Sequence, residues 1–372
     1  MDQSPSLYVG TYTAPKSDSR GIYLLRLDLD SGRLTPQGLA AEATNPSFLA
    51  VHPSRRFLYA VNEQAEFAGV KTGAVTAFAI DLPSGKLSPL NQQSSGGTGP
   101  CYITIDAAGR HAFVANYSGG SIAVLPLAPD GRLGEPSTVI QHKDPDPGPK
   151  PRRSHCHSIH LDTAQRFAFV ADLGLDRIFQ YRFDAKTGAL APNDPAAVSL
   201  AAKAGPRHFA WHPSGRFAYV INELNSTMTA LAYDAGQGTL RPLQTLSTLP
   251  EGFAGKSDCA EVRVHPGGKF LYGSNRGHDS IAIFAIDPRT GRLSLVGHEP
   301  TRGKTPRNFA IDPTGRYLVA GNQDSNTIVV FRVDLRTGLL KAIGEKIDVP
   351  GPVCVAFVQP ATSDEVTGQQ RR

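Results

Sequence analysis

One stretch recurs along this 372-residue chain, and the repeat limits the possible folds more than any other feature. Its clearest copy, residues 205–224, reads as a short apolar strand, a tight HPSG turn, a second apolar strand and the polar tip Asn222-Glu223. A half copy begins at Leu7, and the complementary half begins at Gly351. The other full copies begin at Asn45, Gly99, His155, Asp258 and Thr305.

A second marker is a turn of the form Asp-x-x-x-Gly-x-Leu or a near variant, in which glycine supplies the positive φ that a hairpin needs. Each unit therefore holds two hairpins, and its apolar runs show no sustained helical period. Within 205–246 we place the strands near 208–212, 217–221, 228–233 and 240–246. Seven units give about 53 residues each, which suits a four-stranded propeller blade. The turns end at Leu34, Leu87, Leu133, Leu190, Leu240, Leu293 and Leu340.

The split repeat at the two chain ends predicts how the ring closes. The last blade takes its first strand from residues 353–358 and its remaining strands from the N-terminus, so pairing the ends closes the ring. The predicted fold is therefore all-β, a seven-bladed β-propeller closed by pairing the N-terminal strands with the C-terminal strand. We expect a single domain over residues 1–360 and a polar, flexible tail over 361–372.

Composition and charge narrow the class of partner. The net charge is +5 and the basic residues are scattered, which disfavours nucleic acid but leaves either a solvated basic surface or a local anion site. No run approaches about 18 apolar residues, so we expect no membrane span. The four cysteines do not make a disulfide scaffold, and we read no secretory signal, so we predict a cytoplasmic protein. The sequence does not indicate an oligomeric state.

The topology of a blade predicts where a functional site lies. The start of strand one and the end of strand two share one face of an antiparallel blade, and strand one is innermost, so its start rims the central channel. Ionisable residues at these tips fall on consecutive blades, which a ring places side by side. We therefore expect one part of one channel mouth to gather His157, Arg207, Glu223, Arg276 and Arg307.

Longer insertions fall on the same face, at residues 64–73, 141–154 and 249–258. The second insertion carries Lys143, Lys150, Arg152 and Arg153. These side chains form either a basic wall beside His157 or an ordinary solvated loop.

Other conspicuous residues have simpler explanations. His155 and His157 have HxH spacing, but no third ligand stands out, so we expect no metal and no cofactor. Cys101, Cys156, Cys259 and Cys354 occupy equivalent places near strand-one starts, which fits small apolar packing better than catalysis. We expect structural roles for Trp211 between blades and for the turn histidines His52, His212 and His265.

Several segments resemble a known family. YVGTYT, HCHSIHLD, GPRHFAWHP, YVINELNST, EVRVHPGGKFLYGSNRGHDSIAIF and GPVCV are similar to the seven-bladed propeller lactonases, which include a bacterial type of 6-phosphogluconolactonase and fungal carboxymuconate lactonizing enzymes. The resemblance spans roughly residues 7–360. It implies a candidate active site of one His, two Arg and one Glu, which match His157, Arg207, Arg276 and Glu223.

The predicted function is hydrolysis of a small anionic sugar lactone, most simply 6-phosphogluconolactone to 6-phosphogluconate, without a metal. Glu223 or His157 activates water, and Arg207 or Arg276 stabilises the oxyanion and binds phosphate. One alternative is another lactone reaction, such as muconate cycloisomerisation, and another is a non-catalytic binding propeller. The predicted substrate-binding residues are Arg307, Asn222, Asn275 and His155.

Overall fold

The computed structural model describes residues 5–15, 17–145, 147 and 149–358. Within these ranges the chain forms seven four-stranded antiparallel sheets and no helix, so none that would cross a bilayer. The strands are β1 (Ser6–Thr11), β2 (Gly21–Leu27), β3 (Leu34–Glu42), β4 (Leu49–Val51), β5 (Phe57–Asn62), β6 (Ala74–Ile80), β7 (Leu87–Ser94), β8 (Pro100–Ile105), β9 (His111–Asn116), β10 (Ser121–Pro126), β11 (Thr138–Gln141), β12 (Cys156–Leu161), β13 (Phe167–Asp172), β14 (Arg177–Phe183), β15 (Leu190–Ser199), β16 (Pro206–Trp211), β17 (Phe217–Asn222), β18 (Thr227–Asp234), β19 (Thr239–Ser247), β20 (Asp258–Val264), β21 (Phe270–Arg276), β22 (Ser280–Ile286), β23 (Leu293–Pro300), β24 (Pro306–Ile311), β25 (Tyr317–Asn322), β26 (Thr327–Val333), β27 (Leu340–Asp348) and β28 (Pro352–Val358).

Each sheet is one blade, and we number the blades along the chain. Blade 1 is β4–β7, blade 2 is β8–β11, and so on to blade 6 at β24–β27; blade 7 has the order β28-β1-β2-β3. The four strands placed within 205–246 are confirmed as β16–β19. The innermost strands β4, β8, β12, β16, β20, β24 and β28 contact one another in succession around the ring.

The predicted ring closure is confirmed. Strand β28 pairs antiparallel with β1 from Ser6 opposite Val358 to Gly10 opposite Cys354. Blade 7 is therefore assembled from both ends of the chain. The one-domain division 1–360 stays a prediction, and the expected tail 361–372 lies outside the described residues.

Burial follows the position of a strand in its blade. The second strands β5, β9, β13, β17 and β25 are buried along their whole length. In the outermost strands, such as β7 and β27, every residue after a buried first leucine is half-buried or exposed. The apolar core therefore lies between neighbouring blades, where β-branched and aromatic side chains pack on two faces.

Polar contacts between blades are repeated around the ring. The buried Tyr59 hydroxyl donates to Gly131 O at 3.0 Å, and the Tyr219 hydroxyl donates to Gly291 O at 3.1 Å. Both acceptors belong to Asp-x-x-x-Gly-x-Leu turns of the next blade, or to a near variant. Each of these turns therefore connects two strands of its own blade and also accepts a hydrogen bond from the neighbouring blade.

The turn histidines and Trp211 have the structural roles predicted for them. His52, His212 and His265 each place Nε2 2.9 Å from a glycine carbonyl in the next blade. The indole N–H of Trp211 donates to Leu161 O at 2.7 Å. The four cysteines are buried and unpaired, as expected for small packing residues.

A β-bulge near the start of the innermost strand takes one residue out of the strand ladder. In blade 4, Pro206 pairs with Asn222 and His208 with Ile221, so Arg207 is left outside the ladder. A bulge adds one residue, bends the strand and re-aims a side chain. Register shifts in blades 2, 3, 6 and 7 leave out Cys101, His157, Arg307 and Val353, and the shift in blade 5 leaves out the pair Ala260 and Glu261.

Replacing Tyr219 by Phe tests the contact between blades. The variant leaves the buried Gly291 carbonyl without its donor, so we expect the free energy of unfolding to fall by about 1–2 kcal/mol. Urea unfolding measures the change. Tyr23→Phe, on a partly exposed ring, is the control and should stay within about 0.5 kcal/mol of the parent chain. Equal losses in the two variants would contradict the role of the Tyr219 contact.

Candidate active site

Six of the seven equivalent strand-one positions line one small cavity inside the channel. The cavity is lined by Ser47, Cys101, His157, Arg207, Arg307 and Val353 from these positions, and also by Phe48, Glu63 and His208. The equivalent position in blade 5 is Ala260, whose carbonyl accepts a 2.7 Å hydrogen bond from Arg207 Nη1. The repeat therefore places chemically different side chains around one point.

Glu223 joins two arginines at this end of the channel. Its Oε2 lies 2.7 Å from Arg207 Nε, and its Oε1 lies 2.9 Å from Arg276 Nη2. The backbone fixes Glu223 as well, because its N–H donates to Gly205 O at 2.7 Å. Gly205 has φ +63°, which favours glycine at this turn.

The charges of this cluster are set by burial and by pairing. Burial alone raises the pKa of Glu223, but Arg207 and Arg276 outweigh it and hold the pKa below 4.5. Burial lowers the pKa of Arg207 to about 10, even though Glu223 opposes the change. At neutral pH the cluster is therefore a carboxylate held between two guanidinium groups.

His157 is buried and neutral. Burial, followed by the charge of Arg207, lowers the pKa of His157 well below 6.5. Its Nδ1 lies 3.7 Å from Cys101 Sγ, while Nε2 makes no hydrogen bond to the described residues. His157 thus offers the cavity a nitrogen that can accept a proton.

A second arginine–carboxylate group comes from blades 6, 7 and 1, next to the first group on blades 4 and 5. Arg307 Nη2 donates to the Tyr12 hydroxyl at 3.0 Å, and that hydroxyl lies 3.1 Å and 3.0 Å from the two Glu63 oxygens. These three residues line a mouth cavity of about 510 Å³, together with polar residues that include Asn45 and Asp324. Arg307 therefore lines both this mouth cavity and the small cavity that Arg207 and His157 line.

Sequence reasoning missed four residues of the channel. Glu63 occupies the same repeat position as Glu223, and Tyr12 occupies it in the closing blade, so the repeats carried a signal for both. His208 directly follows the bulged Arg207, and Glu261 is the second of the two residues left out in blade 5; the bulge itself was not read from the sequence. Glu261 is 2% exposed, and its carboxylate meets His208 Nδ1 at 3.0 Å.

Three of the predicted substrate-binding residues lie apart from the channel cavity. The Asn222 amide donates to Thr227 and Thr229 of its own blade, and the Asn275 amide donates to Thr248 O. Both asparagine side chains are buried and hydrogen-bonded at the end of a strand, and neither lines the channel cavity. His155 is half-buried and stacks on Tyr117 with ring centroids 4.6 Å apart.

The two arginines of the basic insertion at residues 141–154 contact residues close to the insertion. Arg152 forms ion pairs with Asp144 at 3.4 Å and Asp176 at 3.2 Å, while Arg153 reaches Ser118 O. Lys143 and Lys150 are exposed. The geometry favours a solvated loop over a basic wall against the buried His157.

His142, Cys156 and Asp172 place their donor atoms within 4.8 Å of one another in blade 3. His142 Nδ1 lies 2.9 Å from Asp172 Oδ2, and the Tyr181 hydroxyl lies 2.8 Å from His142 Nε2. Blade 5 has a neutral equivalent, in which Thr248 and Cys259 contact Asn275 Oδ1. Hydrogen bonds therefore account for this cluster without an ion.

Comparison with known proteins agrees with the architecture. A family profile described as Lactonase, 7-bladed beta-propeller, matches residues 6–357. The chain belongs to this family. A 6-phosphogluconolactonase of Bacillus subtilis (strain 168) is 36% identical over 351 residues, which cover 94% of this chain and 97% of that protein. A 6-phosphogluconolactonase of Pectobacterium carotovorum is 37% identical over 264 residues, which cover 71% and 73%.

Solved structures match this lactonase over nearly the whole chain. The periplasmic gluconolactonase of Pseudomonas aeruginosa superposes with a TM-score of 0.88 at 35% identity, covering 96% of this chain and all 100% of that chain. A protein from Lactobacillus plantarum has a TM-score of 0.87 at 32% identity, with 95% and 99% covered.

The depressed pKa of Glu223 predicts a pH-dependent contribution to the stability of this lactonase. A carboxylate whose folded pKa lies below 4.5 stabilises the fold above that value, and the contribution is lost as pH falls through the folded pKa. We expect the difference in unfolding free energy between the parent chain and Glu223→Gln to be constant near neutral pH and to shrink below 4.5.

Urea unfolding as a function of pH measures this difference. Glu299→Gln is the control, because burial raises the pKa of Glu299 and its contribution should be lost as pH rises instead. A Glu223→Gln difference that stays constant into acid would contradict the ion-paired state.

Proposed function

We propose that this protein hydrolyses a small sugar lactone, with 6-phosphogluconolactone as substrate and 6-phosphogluconate as product. The observation that carries the proposal is Glu223 held between Arg207 and Arg276, in the same channel end as His157. The 36% identity to a 6-phosphogluconolactonase supports the same reaction. The ion-paired mouth favours a small polar ligand over the alternative of a binding propeller with an aromatic face.

The reaction adds water to the lactone carbonyl and breaks the ring C–O bond. His157 accepts the proton from water, because it is neutral and its Nε2 makes no hydrogen bond to the described residues, and it returns this proton to the ring oxygen as the C–O bond breaks. Glu223 is ionised, but both of its oxygens contact guanidinium groups, so its main task is to hold the arginines. Arg207 stabilises the oxyanion as it develops.

The phosphate group belongs on the side of Arg276. The Arg276 side chain is 15% exposed, whereas the Arg207 side chain is 3% exposed. Glu63 and Asp324 line the mouth cavity and repel a dianion there, but they suit sugar hydroxyl groups. A lactone held with its phosphate toward Arg276 therefore presents its polyol end to Tyr12 and Glu63.

Replacing the two central residues tests the proposed reaction. We expect His157→Ala and Glu223→Gln each to lower kcat on 6-phosphogluconolactone by about 10²–10⁴-fold. Glu63→Gln is the matched carboxylate control, and we expect mainly a higher KM because it lies on the hydroxyl side. A coupled assay of 6-phosphogluconate measures all three rates. A parent chain with no rate above spontaneous hydrolysis, or full activity in both central variants, would contradict the proposal.

Unphosphorylated gluconolactone is a second candidate substrate. The three arginines of the mouth are opposed by the carboxylates of Glu223 and Glu63, which leaves little net positive charge for a phosphate. The similar Pseudomonas aeruginosa protein is a periplasmic gluconolactonase. The cytoplasmic location and the lack of nucleic-acid and membrane partners stay predictions, and cell fractionation tests the first of them.

Arg276→Ala distinguishes the two substrates. Loss of a charged hydrogen bond to phosphate should lower kcat/KM for 6-phosphogluconolactone by about 10–100-fold. The same variant should change kcat/KM for gluconolactone by no more than about threefold if phosphate is the group that Arg276 binds. Equal losses on both substrates, with gluconolactone the better substrate of the parent chain, would favour the second candidate.

A further inference from the structure

A second polar layer lies next to the bulged residues. It consists of His208, Glu261 and Asn308, each of which directly follows the equivalent strand-one position of blade 4, 5 or 6, and all are at most 3% exposed. His208 Nδ1 lies 3.0 Å from Glu261 Oε2, and the Asn308 amide donates to the same oxygen. This buried layer touches the candidate active site through Arg207, whose Nη1 lies 3.3 Å from His208 Nε2.

The arginine fixes which nitrogen of His208 carries the proton. A guanidinium group has five donors and no acceptor, so Nε2 must accept from Arg207 Nη1. Neutral His208 then holds its proton on Nδ1 and donates it to Glu261. Burial together with the charge of Arg207 lowers the pKa of His208 well below 6.5, which keeps the ring neutral.

The surroundings of the Glu261 side chain favour a hydrogen-bond acceptor. Burial raises the pKa of Glu261, but three hydrogen-bond donors and the Arg263 guanidinium converge on its two oxygens, which suits a carboxylate. His208 and Asn308 reach Oε2; the Val262 N–H at 3.0 Å and Arg263 Nε at 3.4 Å reach Oε1. A neutral amide at this position would turn its NH₂ toward one pair of donors.

We propose that Glu261 and His208 are a positioning pair for the reaction, in which Glu261 fixes the Nδ1–H tautomer of His208 and His208 Nε2 then holds the guanidinium of Arg207. The proposal rests on the proposed function, in which Arg207 acts on the lactone. Three fixed contacts, to Glu223, Ala260 O and His208, leave Nη2 of Arg207 for the substrate.

Variants of His208 test whether the reaction needs a hydrogen-bond acceptor for Arg207 at this position. His208→Leu removes it and should lower kcat on 6-phosphogluconolactone by about 10²-fold, with KM within about threefold. His208→Gln keeps an oxygen that accepts from Arg207 and should recover at least about tenfold of that loss. Glu261→Gln should lower kcat like His208→Leu, because the amide faces donors on either side.

His160→Leu is the matched control. His160 lies in the same channel and contacts Tyr102, but its buried Nε2 has no hydrogen-bond partner among the described residues. We expect its kcat to stay within about threefold of the parent chain. Thermal unfolding of every variant identifies those that lose stability rather than the arginine contact.

A measurement without turnover separates this inference from the proposed reaction. In ¹⁵N-histidine NMR of the parent chain at neutral pH, His208 should be protonated on Nδ1 and unprotonated on Nε2, assigned by the signal that His208→Gln lacks. An Nε2–H tautomer or an imidazolium would overturn the positioning pair, as would wild-type kcat in a folded His208→Leu. A parent chain that shows the Nδ1–H tautomer but has no lactonase activity would overturn only the proposed function.

Discussion

The pairing of β1 with β28 is the contact on which the ring depends. These strands come from opposite ends of the chain, and their ladder gives blade 7 its innermost strand. Blade 7 also supplies Tyr12 and Val353 to the channel. Closure therefore removes two open sheet edges and completes the mouth in one step. A separated β28 would expose an edge on each side and take Val353 out of the cavity.

Within the closed ring, one local device places most of the strand-one residues of the site. In blades 2, 3, 4, 6 and 7 a bulge near the start of the innermost strand takes one residue out of the ladder and presents it to the channel. Hydrogen bonds between strands are kept on both sides of it, so the blade tolerates Cys101, His157, Arg207 or Arg307 at the same place. Function can therefore vary at these positions while the blade scaffold stays constant.

Much of this arrangement follows from the sequence. The repeat predicts the blade count, the strand positions and the closure, because periodic turns and apolar runs report local backbone conformation directly. It also predicts that the tips of His157, Arg207, Glu223 and Arg276 lie at one end of the channel, since consecutive blades are neighbours.

The rest depends on partners that sequence spacing does not specify. Asn222 and Asn275 have the polar character of ligand-binding residues, yet their amides bond within their own blades or to the adjoining link. Glu261 looks like one more polar residue in a strand, yet the ring places it against His208 of the preceding blade. The order of charges across a channel is a tertiary property, and it emerges only when the blades are assembled.

The central claim is that a sugar lactone is opened between His157 and the Glu223 cluster. A crystal structure with 6-phosphogluconate bound tests it most directly. We predict the product carboxylate against Arg207 and within reach of His157, its phosphate at Arg276, and its hydroxyl groups toward Glu63 and Tyr12. Product bound at the other end of the channel, around Arg263, or in contact with none of these residues would contradict the account.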